Sequence, residues 1–457
     1  MNEYNFKDID QWIIGNSWIN SEIENLNEKL AIDIGSRWAT SQNERNAAEY
    51  IHDFWENRGL STYYENFDIK TYKFLKSILD VDGKQLDVKP YHRCPSVDIS
   101  TNLIDLGYGT KREVNEKSKD IKGKIALIYR KHEPFTEQEP IGDRVGVISD
   151  MGASAIIIGE VKSGRRMEYS SIWDTRDPES VYPPLPIVNT SSEHLLLLKR
   201  YAQKKLKAKL KVTTEFYEAE TSNVVADIPG TIKDEYIVMC GHHDTVFDTP
   251  GGNDNTSGAI AVVETARTIK KAIDKFNIKP EIGLRFITLS AEEQRLQGSF
   301  FHVKKNYNSN NPKPKFVLNC DELSTGNLKG IVLGFPHLRN FLQEQLDTLN
   351  EDLKVHVMSQ IDGHSDHFPF LEAGIDASHP WRWRFFGRYP TCEYHHEAPD
   401  TFDKLNVKDL KYYISTFSRL LIRLSLIPTT SWPKNLLTKE MVRKRLDIEK
   451  NYEIKTS

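Results

Sequence analysis

From Ser222 to about residue 383, short apolar segments alternate with amphipathic ones, and this alternation limits the fold more than any other feature of the chain. Strands are expected at 223–227, 236–240, 283–289, 316–319, 330–334, 355–358 and 375–383, with helices between them. In the helix expected after Asn255, the residues Ala259, Val262, Val263, Ala266 and Ile269 share one face. Alternating strands and helices predict an α/β fold: a mixed, mostly parallel sheet with helices on both faces. In such sheets the chemistry gathers beyond the carboxyl ends of the strands, and the polar motifs of this chain stand there.

The rest of the chain divides around this region. Residues 8–60 read as helices, with Ala47, Ala48, Ile51, Phe54 and Trp55 at helical spacing and a glycine stop at Arg58-Gly59-Leu60. Alternation around Tyr63, Phe67 and Ile69 turns strand-like. A separate unit is expected from Leu106. It has buried strands at 125–128 and 155–158, a proline-rich excursion at 183–188, a basic amphipathic helix over 193–207 and a strand at 210–213. The basic face of that helix reads as solvated rather than as a binding surface. The expected organisation is an N-terminal part of the catalytic domain (1–105), an inserted β-rich α+β domain (106–215), the catalytic domain (216–428) and a charged tail of helical spacing (429–457).

Charge and composition narrow the partners. Lys plus Arg number 61 against 65 Asp plus Glu, a net charge of −4, which gives no electrostatic reason to expect nucleic acid or an anionic membrane. No apolar run approaches the roughly 20 residues of a membrane span. The four cysteines, Cys94, Cys240, Cys320 and Cys392, are dispersed and form no CxxC pair, so neither a disulfide framework nor a cysteine-ligated zinc is expected. With no basic then apolar leader at the start, the expected location is cytoplasmic. Association with a second copy of the chain stays open.

Five segments carry the chemistry: Cys240-Gly241-His242-His243-Asp244, Pro250-Gly251-Gly252-Asn253-Asp254-Asn255, Leu289-Ser290-Ala291-Glu292-Glu293, Asn319-Cys320-Asp321, and Tyr394-His395-His396-Glu397-Ala398-Pro399-Asp400-Thr401. Each alone has a plain reading: a surface turn, a helix N-cap, a solvated helix start, a turn residue, an idle loop. Together they supply the neutral imidazoles and carboxylates that suit zinc. Two zinc ions about 3.5–4 Å apart also need a carboxylate able to bridge them. The spacings of 12, 39, 28 and 75 residues from His242 through Asp254, Glu293 and Asp321 to His396 fit ligands delivered from neighbouring strand ends.

In these motifs the chain resembles the co-catalytic dizinc exopeptidases, family 28 of the metallopeptidases. That family includes aminopeptidases, plasma glutamate carboxypeptidase and the related glutaminyl cyclases. Its order H-x-D, G-x-N-D-x-x-S-G, A-E-E and N-x-D is present from residue 242 to residue 321, its fifth element Y-H-x-x-x-D-T is matched from His396 to Thr401 with His395 in the Tyr place, and Gly35-Ser36-Arg37 with Glu44 and Ala47-Ala48 resembles its opening helices. The unit over 106–215 resembles a protease-associated domain. The resemblance implies two zinc ions per chain, one held by His242 and Asp321, the other by Glu293 and His396, with Asp254 as the bridge. His396 is preferred to His395 because it stands four residues before Asp400. Asp244 matches the carboxylate that fixes a ligand imidazole, and Glu292 matches the general base for a metal-activated water. A cis peptide is implied at Asp254–Asn255.

The expected activity is peptide hydrolysis by a metallo-exopeptidase, an aminopeptidase first. Glu322 after Asp321 would favour a free α-amine; Arg295, Arg382 or Arg384 would favour a free carboxylate, as in a carboxypeptidase or dipeptidase. Asp366 and His367 in Gly363-His364-Ser365-Asp366-His367 are expected to line the pocket, and Glu322 and Arg382 to touch substrate. A single-zinc glutaminyl cyclase is disfavoured because all five ligands persist. A dead peptidase scaffold used for binding is disfavoured because ligands and base are intact. A serine hydrolase at Ser365 lacks the second glycine of a nucleophile elbow.

Overall fold

The computed structural model describes residues 4–137, 139–172, 182–307, 312–382 and 394–456, with the backbone alone at 382 and 450–456. Two compact units divide them. The first comprises Met1–Ile69, Ala219–His395 and Pro399–Arg445; the second comprises Lys70–Glu218, His396–Ala398 and Leu446–Ser457.

In the first unit the strands are β1 (Lys207–Ile228, which starts in the second unit), β2 (Tyr236–His242), β3 (Gly283–Leu289), β4 (Val317–Asn319), β5 (Leu328–Leu333), β6 (Lys354–Val357) and β7 (Ala377–Arg382). Their order across the sheet is β6-β5-β7-β4-β2-β3-β1. The centre is parallel: β2 pairs with β3 from Gly283 opposite Tyr236 to Leu289 opposite His242, and β4 pairs with β2 and β7. Antiparallel pairings occur at β3 with β1 and at β5 with β7. This is the mixed, mostly parallel sheet expected.

Nearly every residue of β2 and β3 is buried. A strand buried on both faces needs helices on both faces. The helix Gly258–Phe276 buries Ala259, Val262, Val263, Ala266 and Ile269, the face read from the sequence, and packs on β2 and β3 and on the helix Val407–Ser425. The helices Gln297–Asn306 and His367–Glu372 pack on each other, and the second also packs on β4 and β7. The main core joins Ile237, Met239, Phe286, Phe316, Phe417 and Trp55. The helix Lys439–Thr456 begins in this unit, where Arg445 donates to the carbonyls of Gly334 and Met358 and Arg443 pairs with Glu372.

In the second unit, Val97–Asp105, Ile125–Tyr129, Ala155–Gly159 and Ile187–Thr190 form successive parallel pairs, with Val97–Asp105 also antiparallel to the start of β1. Residues 70–105 therefore sit in this unit, whereas their sequence groups them with the catalytic part. The reason is pairing: Val97–Asp105 finds its partners at 207–212 and at 125–127. The helix expected over 193–207 runs Ser192–Gln203, ends in a turn with Lys205 at φ 57°, and gives way to β1 at Lys207. Separate apolar clusters form around Leu127 and Leu195 and around Ile128 and Val145. Among the described residues no helix is long and apolar enough to cross a membrane. Cys94, Cys240 and Cys320 are buried; Cys392 lies outside the described residues.

Candidate metal centre

β2 is the central parallel strand, and its last residue is His242. The strand ends there, the polar run His243-Asp244 that follows is itself fully buried, and the imidazole stands at the sheet's carboxyl edge. His242 Nδ1 lies 3.1 Å from the backbone oxygen of Asp244. A carbonyl only accepts, so Nδ1 carries the proton and Nε2 holds a lone pair. That Nε2 is buried and has no hydrogen-bond partner. It faces Asp254 Oδ1 at 3.4 Å, Asp321 Oδ1 at 3.5 Å and Glu292 Oε2 at 3.9 Å.

Each carboxylate arrives on its own element. Asp254 lies in the kinked turn Gly252–Ser257 that leads into the long helix, and its peptide to Asn255 is cis. Asp400 aims that turn, accepting from the backbone N–H groups of Asn253 at 2.8 Å and Asp254 at 2.9 Å. Glu292 and Glu293 follow β3, and their N–H groups donate to Asp244 Oδ1 at 3.2 Å and Oδ2 at 3.3 Å. Asp244 thus aims the two glutamates, and its Oδ1 also stands 3.5 Å from His242 Nδ1. Asp321 follows β4 and accepts from Ser365 Oγ at 2.6 Å.

Two sets of donors that include His242 come close enough to share a cation: His242, Asp254 and Asp321, and His242, Glu292 and Glu293. Within each set one ligand atom per residue lies within 4.8 Å of the others. Burial, helped by Glu293, Asp366 and Asp321, raises the Glu292 carboxyl well above its ordinary value although His242 opposes the shift. Burial likewise raises Asp366 to about 7. So many buried acids around an imidazole lone pair are a poor arrangement for protons alone, and one that dications stabilise. The donor types fit zinc.

The remaining expected residues are placed as follows. His395 Nδ1 is 3.1 Å from Asp254 Oδ2 and 3.3 Å from Glu322 Oε1. His396 falls in the second unit, where its carbonyl accepts from Tyr169 N–H at 2.8 Å. Glu322, at φ 49°, also accepts from Asn253 Nδ2 at 3.2 Å. Asp366 is fully buried and accepts from Ser299 Oγ at 2.6 Å; His367 is fully buried at the start of its helix. Arg382 ends β7, but its side chain and the whole of Arg384 lie outside the described residues.

Sequence reasoning missed the support beneath the centre. Arg37 is fully buried and donates to the carbonyls of His243, Leu30, Gly35 and Pro250 and to Thr256 Oγ1, tying together the segments next to His242 and Asp254. Glu44 accepts from Thr221 and Ser290 hydroxyls and lies 3.1 Å from His243 Nε2. The signal was available: a charged residue in Gly35-Ser36-Arg37 and another in an otherwise apolar helix face need partners when buried.

A mixed, mostly parallel sheet thus carries a donor set that fits zinc at its carboxyl edge. Residues 223–421 match the model of Peptidase family M28. A probable leucine aminopeptidase 2 from Aspergillus oryzae is 24% identical over 342 residues, covering 72% of this chain and 65% of its own length. The chain thus spans just under two thirds of that relative. Aminopeptidase YwaD of Bacillus subtilis is 28% identical over 360 residues, covering 77% and 73% respectively. Among solved structures, a zinc aminopeptidase from Bacillus subtilis shares the fold at a TM-score of 0.71, with 20% identity and coverage of 92% of this chain and 97% of that one.

Proposed function

We propose that the chain is a zinc-dependent aminopeptidase that removes N-terminal residues from peptides. Its two-metal centre is held by His242, Asp254, Glu293, Asp321 and His396. The observation that carries this reading is the buried His242 Nε2, which presents a lone pair and no hydrogen-bond partner to Asp254 and Asp321. Zinc bound there supplies Lewis acidity, lowering the pKa of a water and polarising a carbonyl.

The protein's own residues do the rest. Glu292 stands beside the ligands, placed to take a proton from water and return it to the leaving amine, and burial raises its carboxyl above the ordinary value. Asp244 positions Glu292 and Glu293 through their backbone N–H groups. Glu322, held by Asn253 and beside His395, offers negative charge to a protonated α-amine. Leucine aminopeptidases and aminopeptidase YwaD among the relatives support the same choice.

The test compares dipeptides with free and blocked amines. Free-amine substrates alone are expected to be cleaved; cleavage of blocked substrates alone overturns the aminopeptidase assignment. His395→Ala and His396→Ala then separate the two imidazoles. The reading predicts zinc loss on substitution of His396, and equal zinc content in that variant and the parent contradicts its ligand role.

A further inference from the structure

A second group of metal-ligand residues lies outside the five proposed ligands. Asp362 is in the loop after β6, His367 opens the helix His367–Glu372, and His379 is on β7. One ligand atom from each lies within 4.8 Å of the other two. His367 is fully buried, and neither of its ring nitrogens has a hydrogen-bond partner. A neutral imidazole carries one donor and one acceptor, and burying both unmet is costly. The neighbouring ring does not relieve this by stacking: the His367 and His379 rings are 5.2 Å apart and tilted by 55°. His379 Nδ1 lies 3.2 Å from the Pro380 carbonyl, which places the proton on Nδ1 and the lone pair on Nε2. The Asp362 carboxylate accepts from the backbone N–H of His364 at 2.9 Å and stands 3.1 Å from its Nδ1, which holds it in place.

We propose that Asp362, His367 and His379 form a separate site for a divalent transition cation, zinc by ligand type, with water completing its shell. Two imidazoles and one carboxylate are a common donor set for such ions. The site also has a consequence for the main centre. Its loop carries Ser365, whose hydroxyl donates to Asp321, so a cation here fixes the segment that holds an expected ligand of the other centre.

The experiment counts zinc on the full chain after chelator treatment, zinc titration and removal of free metal. Asp362→Asn and His379→Gln are each expected to hold one equivalent fewer than the parent, or to bind it at least tenfold more weakly, with unchanged far-ultraviolet circular dichroism. Asp362→Asn is the milder change and keeps the test valid if His379→Gln does not fold. His242→Ala removes zinc from the main centre and is expected to retain this equivalent, so failure of the aminopeptidase reading and failure of this one give different counts. Equal zinc content and affinity in the parent and in folded Asp362→Asn would overturn the proposal. So would a folded His242→Ala protein that binds no zinc.

Discussion

Arg37 ties together the loops that follow His242 and flank Asp254, because its guanidinium serves five oxygens from separate segments. Burial lowers its pKa to about 10, against the pull of Asp244, Asp400 and Asp254, so it stays charged at neutral pH. Arg37→Met leaves those acceptors unmet and is expected to cost about 3 kcal/mol or more in denaturant unfolding; a loss under about 1 kcal/mol would contradict the role. Glu292→Gln is expected to lower kcat by about 10²–10⁴-fold with zinc content unchanged, and full activity in that variant sinks the base assignment. Glu65 offers a pH test away from the centre. Burial acts to raise its pKa, but His302 and Asn306 outweigh it and hold the carboxyl at about 2, against 4.5 ordinarily. Folded below unfolded means the contribution is complete above about 4.5 and is lost as pH falls toward 2. The shift corresponds to roughly 3 kcal/mol. Glu65→Gln should flatten the acid limb of stability between those values, and an unchanged limb contradicts it. At this scale the sequence pointed to His242, Asp254, Glu292, Glu293 and Asp321, which the fold brings close together, because ligand types recur at strand ends. It did not show Asp400 as the acceptor for two N–H groups, or Ser365 as the donor to Asp321. Those pairs join residues distant in sequence, and periodicity carries no trace of them.

Among the elements, the parallel strands were the most legible. Continuous apolar runs bounded by polar turns mark strands buried on both faces, and β3 begins and ends where the run does, at Gly283 and Leu289. The helix Ser192–Gln203 was legible in its apolar face but not at its end. Lysines continue past Gln203 and suit a solvated helix or an edge strand equally, so composition does not mark the turn. The strand Val97–Asp105 was hidden for a different reason: which sheet it joins is settled by partners at 125–127 and 207–212. The turn carrying Asp254 is packed closely enough to test. A Cβ on Gly258 would stand 2.1 Å from the carbonyl oxygen of Cys320 and 2.3 Å from Asn255 Oδ1. Gly258→Ala must therefore push the Asp254 turn away from the end of β4. The expected cost is about 1–3 kcal/mol, seen as a lower Tm, together with weakened zinc binding. An unaltered Tm and zinc affinity would show that the turn and strand end are not coupled.

For the whole molecule, the proposed function rests on one arrangement: parallel strands end together, and their separate polar tips meet around His242. The family match over 223–421 and the fold shared with a zinc aminopeptidase cover that region. The most direct measurement is the rate of hydrolysis of a free-amine dipeptide substrate by the intact chain, before chelation, after it, and after zinc is returned. The account predicts loss of activity on chelation and recovery with zinc. Hydrolysis that continues undiminished in the metal-free protein would contradict it.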